Sequence, residues 1–131
     1  NPSQIDEMAL PPCHVLSQYI VKGNDLTTIL YQRSGDVGLG IPFNIASYSF
    51  LTHILAKHCD LNAKKFIHII GDAHIYEEHV DALKQQINQK PYEFPTIEVL
   101  NKYENIESYN LNDIKIKNYN CHKKIEMKMK S

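Results

Sequence analysis

The chain has 131 residues, 43% of them hydrophobic, enough apolar material for one compact domain, or part of one, and too little for two. A formal net charge of -1 gives no long-range pull toward nucleic acid or an anionic membrane, so an anionic ligand needs a local site. No apolar run approaches the ~18 residues of a membrane span and the start has no signal-like pattern, so a soluble, cytoplasmic protein is expected, with any targeting segment lying upstream of Asn1.

In chain order, residues 14–22 and 26–33 are two β-rich runs separated by Gly23, Asn24 and Asp25, a hairpin signature. A two-residue turn at Gly23-Asn24 sets opposite one another positions whose numbers sum to about 47, so Cys13 is expected to face Ser34 and His14 to face Arg33. A slip of one residue would exchange faces without separating these four groups. A glycine-rich loop at 35–40 leads into a helix over 41–59, read as largely buried, with Phe43, Ser47, Phe50, Leu51, Ile54 and Leu55 inward and Pro42 in its first turn.

Residues 65–70 read as a buried strand ending at Gly71. Tyr76, Val80, Leu83 and Ile87 recur at helical spacing up to Pro91, with Glu77 and Glu78 early, where the helix dipole favours them. Short strands follow at 96–100 and 114–119, and the order of elements is α+β. Cys59 reads as a helix-end core residue, and the basic tail from Lys115 as a solvated terminus.

Cys13, Cys59 and Cys121 are an odd number without close spacing, which argues for a reducing compartment and against a disulfide framework. His53 with His58, and His74 with His79, are five apart and on a helix point to different faces, so no metal site is expected.

Cys13 alone could be an ordinary buried thiol. Beside it the hairpin brings Arg33, the only arginine of the chain, and a neighbouring guanidinium stabilises a reactive thiolate. Arg33 also offers a planar donor fork for phosphate oxygens, and Ser34 adds a neutral donor. Asn44 carries a donor and an acceptor that match one edge of a pyrimidine, or else it caps the helix. His74 and Tyr76 are polar groups at a strand end, available to a ligand or simply satisfied at the core boundary.

The segments Met8-Ala9-Leu10-Pro11-Pro12-Cys13-His14, Tyr31-Gln32-Arg33-Ser34, Asp36, Gly38-Leu39-Gly40, Pro42-Phe43-Asn44-Ile45-Ala46-Ser47-Tyr48 and Gly71-Asp72-Ala73-His74-Ile75-Tyr76 together resemble the thymidylate synthase family over essentially the whole chain. The resemblance implies a partial α+β fold, a mixed sheet with flanking helices, in which residues 1–131 form the carboxy-terminal catalytic portion. It further implies reductive methylation of dUMP to dTMP with methylenetetrahydrofolate and no metal, by a homodimer. In that family Cys13 would be the nucleophile, Arg33 and Ser34 would hold the phosphate, Asn44 the uracil, and His74 with Tyr76 the ribose. Gly35 and Ile75 complete the expected substrate contacts, Asp36 would position pyrimidine and folate, and Gln32 and His14 would order the surrounding hydrogen bonds. Gly40 and the terminal Lys130 join Asp36 on the folate side.

The family's amino-terminal half, with its folate-side glutamate and tryptophan and the arginines donated across the dimer, has no counterpart in these residues, so this chain alone is expected to be incompetent. A fusion to dihydrofolate reductase, as in some lineages, is a further expectation. The family tail usually runs through Pro-His-Pro to a small apolar end that folds over the folate. Here it reads Cys121-His122-Lys123 and ends Met129-Lys130-Ser131. Two rivals are a deoxycytidylate hydroxymethylase, which tends to carry aspartate at the position of Asn44, and a non-catalytic nucleotide-binding or dimer scaffold, against which Cys13 and Arg33 argue.

Overall fold

The computed structural model describes residues 2–8 and 10–129. After a 3-10 segment at Pro2–Glu7 come β1 (His14–Lys22), β2 (Asp25–Asp36), α1 (Gly40–His58) and β3 (Asn62–His74). A 3-10 turn, Glu77–His79, leads into α2 (Val80–Ile87), and β4 (Thr96–Val99) and β5 (Ile114–Lys117) close the order. The result is the mixed α+β architecture expected. The main sheet has the order β1-β2-β3, and β4 pairs with β5 in a separate ribbon.

Gly23, at a φ of 60°, supplies the left-handed position of the tight turn between β1 and β2. The register has the anticipated sum from Lys22↔Asp25 to Leu16↔Tyr31, and then slips by one at a bulge, so that His14 lies opposite Gln32. The Arg33 N–H donates to the Cys13 carbonyl at 2.9 Å. The expected pairs Cys13 with Ser34 and His14 with Arg33 are therefore replaced by Cys13 with Arg33 and His14 with Gln32. The bulge adds one residue to β1, a change that alternation of side chains cannot reveal.

β2 and β3 pair in parallel from Asp25↔Asn62 to Asp36↔His74, with a one-residue shift between Leu26 and Thr27, and α1 is the crossover that parallel strands need. Both strands are longer than expected: β2 includes Ser34, Gly35 and Asp36, and β3 passes through Gly71 to His74. Along β2, Leu26, Thr28, Leu30 and Gln32 are buried on the side covered by α1. Thr52 Oγ1 of the helix lies 2.9 Å from Thr28 Oγ1 and 2.6 Å from the Tyr48 carbonyl oxygen, so a hydroxyl pair is satisfied inside that contact.

α1 is not largely buried. Only Thr52 and Ala56 are, and Phe43, expected inward, is 72% exposed. Ser47 is exposed too and donates to the Phe43 carbonyl at 2.9 Å. Apolar residues lie all round this helix, so they single out no one face, and here the sheet covers one side. Cys59, expected in the core, is exposed just past the helix end. The second helix begins later than its periodicity suggests, because Tyr76 stays extended and residues 77–79 form a 3-10 turn.

Candidate active site

The carboxyl ends of the parallel strands β2 and β3 and the first turns of α1 converge, the place where open α/β sheets hold ligands. Gln32, 2% exposed, organises this end. Its Nε2 donates to the Ser34 carbonyl at 2.8 Å and to Asn44 Oδ1 at 3.0 Å, while its Oε1 lies 2.8 Å from His68 Nε2. A carboxamide oxygen can only accept, so the His68 Nε2 carries the proton. Asn44 is thus not a cap: it lies inside α1, whose flanking residue Leu39 makes no side-chain cap bond, and its oxygen is fixed by Gln32. That leaves the Asn44 amide nitrogen as a donor.

Burial holds the His68 imidazole below its ordinary value of 6.5, with the neighbouring His14 adding in the same direction. The unfolded chain therefore takes up this proton at a higher pH than the folded chain does. From His68, stability falls as the pH drops through about 6.5 toward the folded value, and above 6.5 the group contributes no slope. An NMR titration is expected to find the His68 midpoint below 6.5. A midpoint at or above it would contradict the desolvation of this ring.

Asp36 accepts from the Gly38 N–H at 2.9 Å and the Leu39 N–H at 3.2 Å, anchoring the turn into α1 where the helix dipole favours an anion. Gly40 lies beside it, the position of an added Cβ being 3.5 Å from Asp36 Cβ and 3.8 Å from Asn44 Oδ1. At Gly35 an added Cβ would displace the end of the Ile41 side chain.

Cys13 is half-buried at the mouth of β1. Arg33 bends back over the residues before it, Nη2 donating to the Pro11 carbonyl at 2.9 Å and Nε to that of Pro12 at 3.3 Å. The His14 ring stands edge-on to Tyr48 at 5.1 Å, and Tyr48 stacks on Phe66. On β3, Asp72 Oδ2 is 3.5 Å from Ser34 Oγ and 3.4 Å from His74 Nδ1, and the His74 ring stands edge-on to Tyr76 at 5.4 Å. Ile75 and Tyr76 are exposed.

The structure thus joins Gln32, Ser34 and Asn44 through one hydrogen-bonded cluster, Cys13 with Arg33 through the backbone, and His74 with Tyr76 through their rings. Lys130 lies outside the described residues. Sequence reasoning missed His68, Asp72 and His79, although their spacing from Gln32 and Tyr76 carried no signal of the contacts they make. Among the described residues no group of three or more His, Cys, Asp or Glu side chains is placed to hold a metal ion.

A family model described as thymidylate synthase matches residues 1–131. The bifunctional dihydrofolate reductase-thymidylate synthase of Paramecium tetraurelia is 52% identical over 129 residues, which are 98% of this chain and 28% of that protein. The enzyme of the same name from Zea mays is 50% identical, over 98% of this chain and 25% of its own length. The thymidylate synthase of Saccharomyces cerevisiae is 47% identical over 138 residues, covering 98% of this chain and 45% of the yeast protein. The chain therefore spans from about a quarter to under half the length of these relatives.

Proposed function

Because the chain belongs to the thymidylate synthase family, we propose that it supplies the nucleophile and the nucleotide-binding part of an enzyme that converts dUMP to dTMP. The observation that carries this reading is the placement of Cys13 beside Arg33, one strand position from the His14–Gln32 pair, with Gln32 in turn fixing Asn44. A nucleophile and a base-reading carboxamide are thereby held from one strand pair. The partners proposed are dUMP, reduced folate, a second copy of the chain, and the portion that the longer relatives possess in addition.

The thiolate of Cys13 adds to carbon six of the uracil, forming the carbon–sulfur bond. The electron pair of the ring double bond moves through carbon five toward the carbonyl oxygen at carbon four. The Asn44 amide donor, oriented by Gln32, suits that edge, where negative charge develops. Carbon five then bonds to the methylene carbon of methylenetetrahydrofolate and loses its proton as the methylene's carbon–nitrogen bond breaks. The released tetrahydrofolate gives a hydride to the methylene carbon. Release of Cys13 as thiolate restores the ring double bond and leaves dTMP and dihydrofolate.

The other chain residues bind and align. The N–H groups of Arg33 not committed to Pro11 and Pro12 point an exposed cation at a phosphate, with Ser34 and the Gly35 backbone adjacent. His74, Ile75 and Tyr76 form an open edge suited to a ribose hydroxyl. Asp36 and Gly40, at the turn into α1, fit the boundary between pyrimidine and folate, since Asp36 is anchored by backbone donors and Gly40 adds no bulk. His14 packs against Tyr48 and steadies the strand that carries Cys13.

Asn44→Asp tests this reading in full-length protein. A carboxylate would still accept from Gln32 Nε2 but has no donor for the uracil edge, and it matches the amino group of cytosine instead. A buried mismatch costs roughly 1–3 kcal/mol, so the preference for dUMP over dCMP is expected to fall about tenfold or more. Unchanged discrimination would mean that Asn44 does not read the base.

A further inference from the structure

We infer that His79 is a positioning residue that latches the carboxy-terminal tail onto the turn held by Asp36. After β5 no helix or strand is formed through Met129. That tail must therefore be held by individual contacts. Two histidines provide them: His122 Nε2 donates to the Lys90 carbonyl at 2.9 Å, and His79 Nε2 lies 2.7 Å from the carbonyl oxygen of Lys128. The second is the unusual one, because the His79 ring is 0% exposed although its neighbours Glu77 and Glu78 are at the surface.

The ring touches both sides of a junction. A carbonyl oxygen can only accept, so Nε2 carries a proton and donates to the tail. The other nitrogen, Nδ1, is buried without a hydrogen-bond partner and lies 3.8 Å from Asp36 Oδ1. At Gly38 the position of an added Cβ is 2.7 Å from His79 Nδ1, 3.3 Å from Asp36 Oδ1 and 3.3 Å from Met127 Sδ. The imidazole, the Asp36 carboxylate and the tail thus meet around one glycine with no spare volume. Asp36 in turn holds the Gly38 and Leu39 N–H groups that start α1. A shift of residues 127–128 is transmitted through one ring to the carboxylate that, on the proposed function, aligns pyrimidine and folate.

The contact has a readout independent of chemistry, because trypsin cleaving after Lys128 must take the same carbonyl into its own site. In full-length protein, His79→Gln keeps a donor near the Nε2 position, whereas His79→Asn is too short to reach the tail. Cleavage after Lys128 is expected to quicken about tenfold in the Asn variant and to stay within about threefold of the parent in the Gln variant, with cleavage after Lys117 unchanged in both. Equal rates after Lys128 in the parent and the Asn variant would overturn the latch. If both variants unfold, the parent decides: cleavage after Lys128 at least about tenfold slower than in a free peptide of residues 118–131 supports the latch, and equal rates overturn it. Kinetics separate the two readings. A KM for methylenetetrahydrofolate raised several-fold by Asn and restored by Gln supports the link to catalysis, while fast cleavage with an unchanged KM keeps the latch and counts against the proposed role of Asp36.

Discussion

Cys13→Ser in full-length protein is expected to lower dTMP formation by at least about 10⁴-fold while leaving dUMP binding within a few-fold of the parent. Serine keeps the shape of the side chain, but its hydroxyl has a negligible anionic fraction near neutral pH. Binding persists because Arg33, Ser34 and Asn44 are untouched and Gln32 still orders the carboxamide. The companion measurement is covalent capture. A 5-fluoro analogue of dUMP blocks the loss of the proton at carbon five, so with methylenetetrahydrofolate it should leave a denaturation-stable adduct. Mass mapping discriminates well here, since Cys59 and Cys121 are exposed free thiols and Cys13 is half-buried. An adduct on either exposed thiol in place of Cys13 would sink the assignment.

The hairpin and the strand-helix-strand order that follows it were legible in the sequence because each rests on a local signal, whereas the parallel pairing of β2 with β3 was not among the expectations. The Gly23-Asn24 turn fixed most of the register, and the bulge that pairs His14 with Gln32 was not visible because it changes one residue in one strand. Gln32 appeared only as a supporting residue. Its command of Ser34, Asn44 and His68 depends on a parallel pairing between β2 and β3 whose offset no sequence period encodes. The burial of α1 was overestimated for a related reason. Its apolar residues lie all round, while the described residues cover it only with the main sheet and an edge of β4. His79 entered the sequence reading only through its spacing from His74. Its partner Lys128 is 49 residues away in a tail without regular structure, so nothing local announces the contact.

The 131-residue chain by itself is expected to self-associate and to form dTMP at least about 10⁴-fold more slowly than protein carrying the portion its relatives have in addition. Its accessible surface is 10091 Å², whereas a compact monomer of 15.1 kDa should expose only about 7,100 Å². The difference, roughly 3,000 Å² on one chain, is well above the about 800 Å² that one partner gives to an ordinary interface. Much of it is apolar and contiguous. On the side of the sheet away from α1, Leu16, Ile20, Tyr31, Ile67 and Ile69 come from three adjacent strands, and each is at least 37% exposed. A patch of this kind marks a surface that a partner covers. The buried apolar side chains among the described residues are only Leu26, Leu30 and Ala56, a small core from which to hold Cys13 and Asn44 in a productive geometry. Phosphate binding is weakened as well, because Arg33 is the chain's only arginine and spends two donors on Pro11 and Pro12, and each further charge-assisted bond would add about 1.5–3 kcal/mol. Sedimentation of the purified chain should show dimers or larger species, and adding the amino-terminal portion, in cis or as a separate chain, should restore turnover followed by dihydrofolate absorbance. Robust turnover by a monomer of this chain would refute the proposal that a second copy and further residues complete the site.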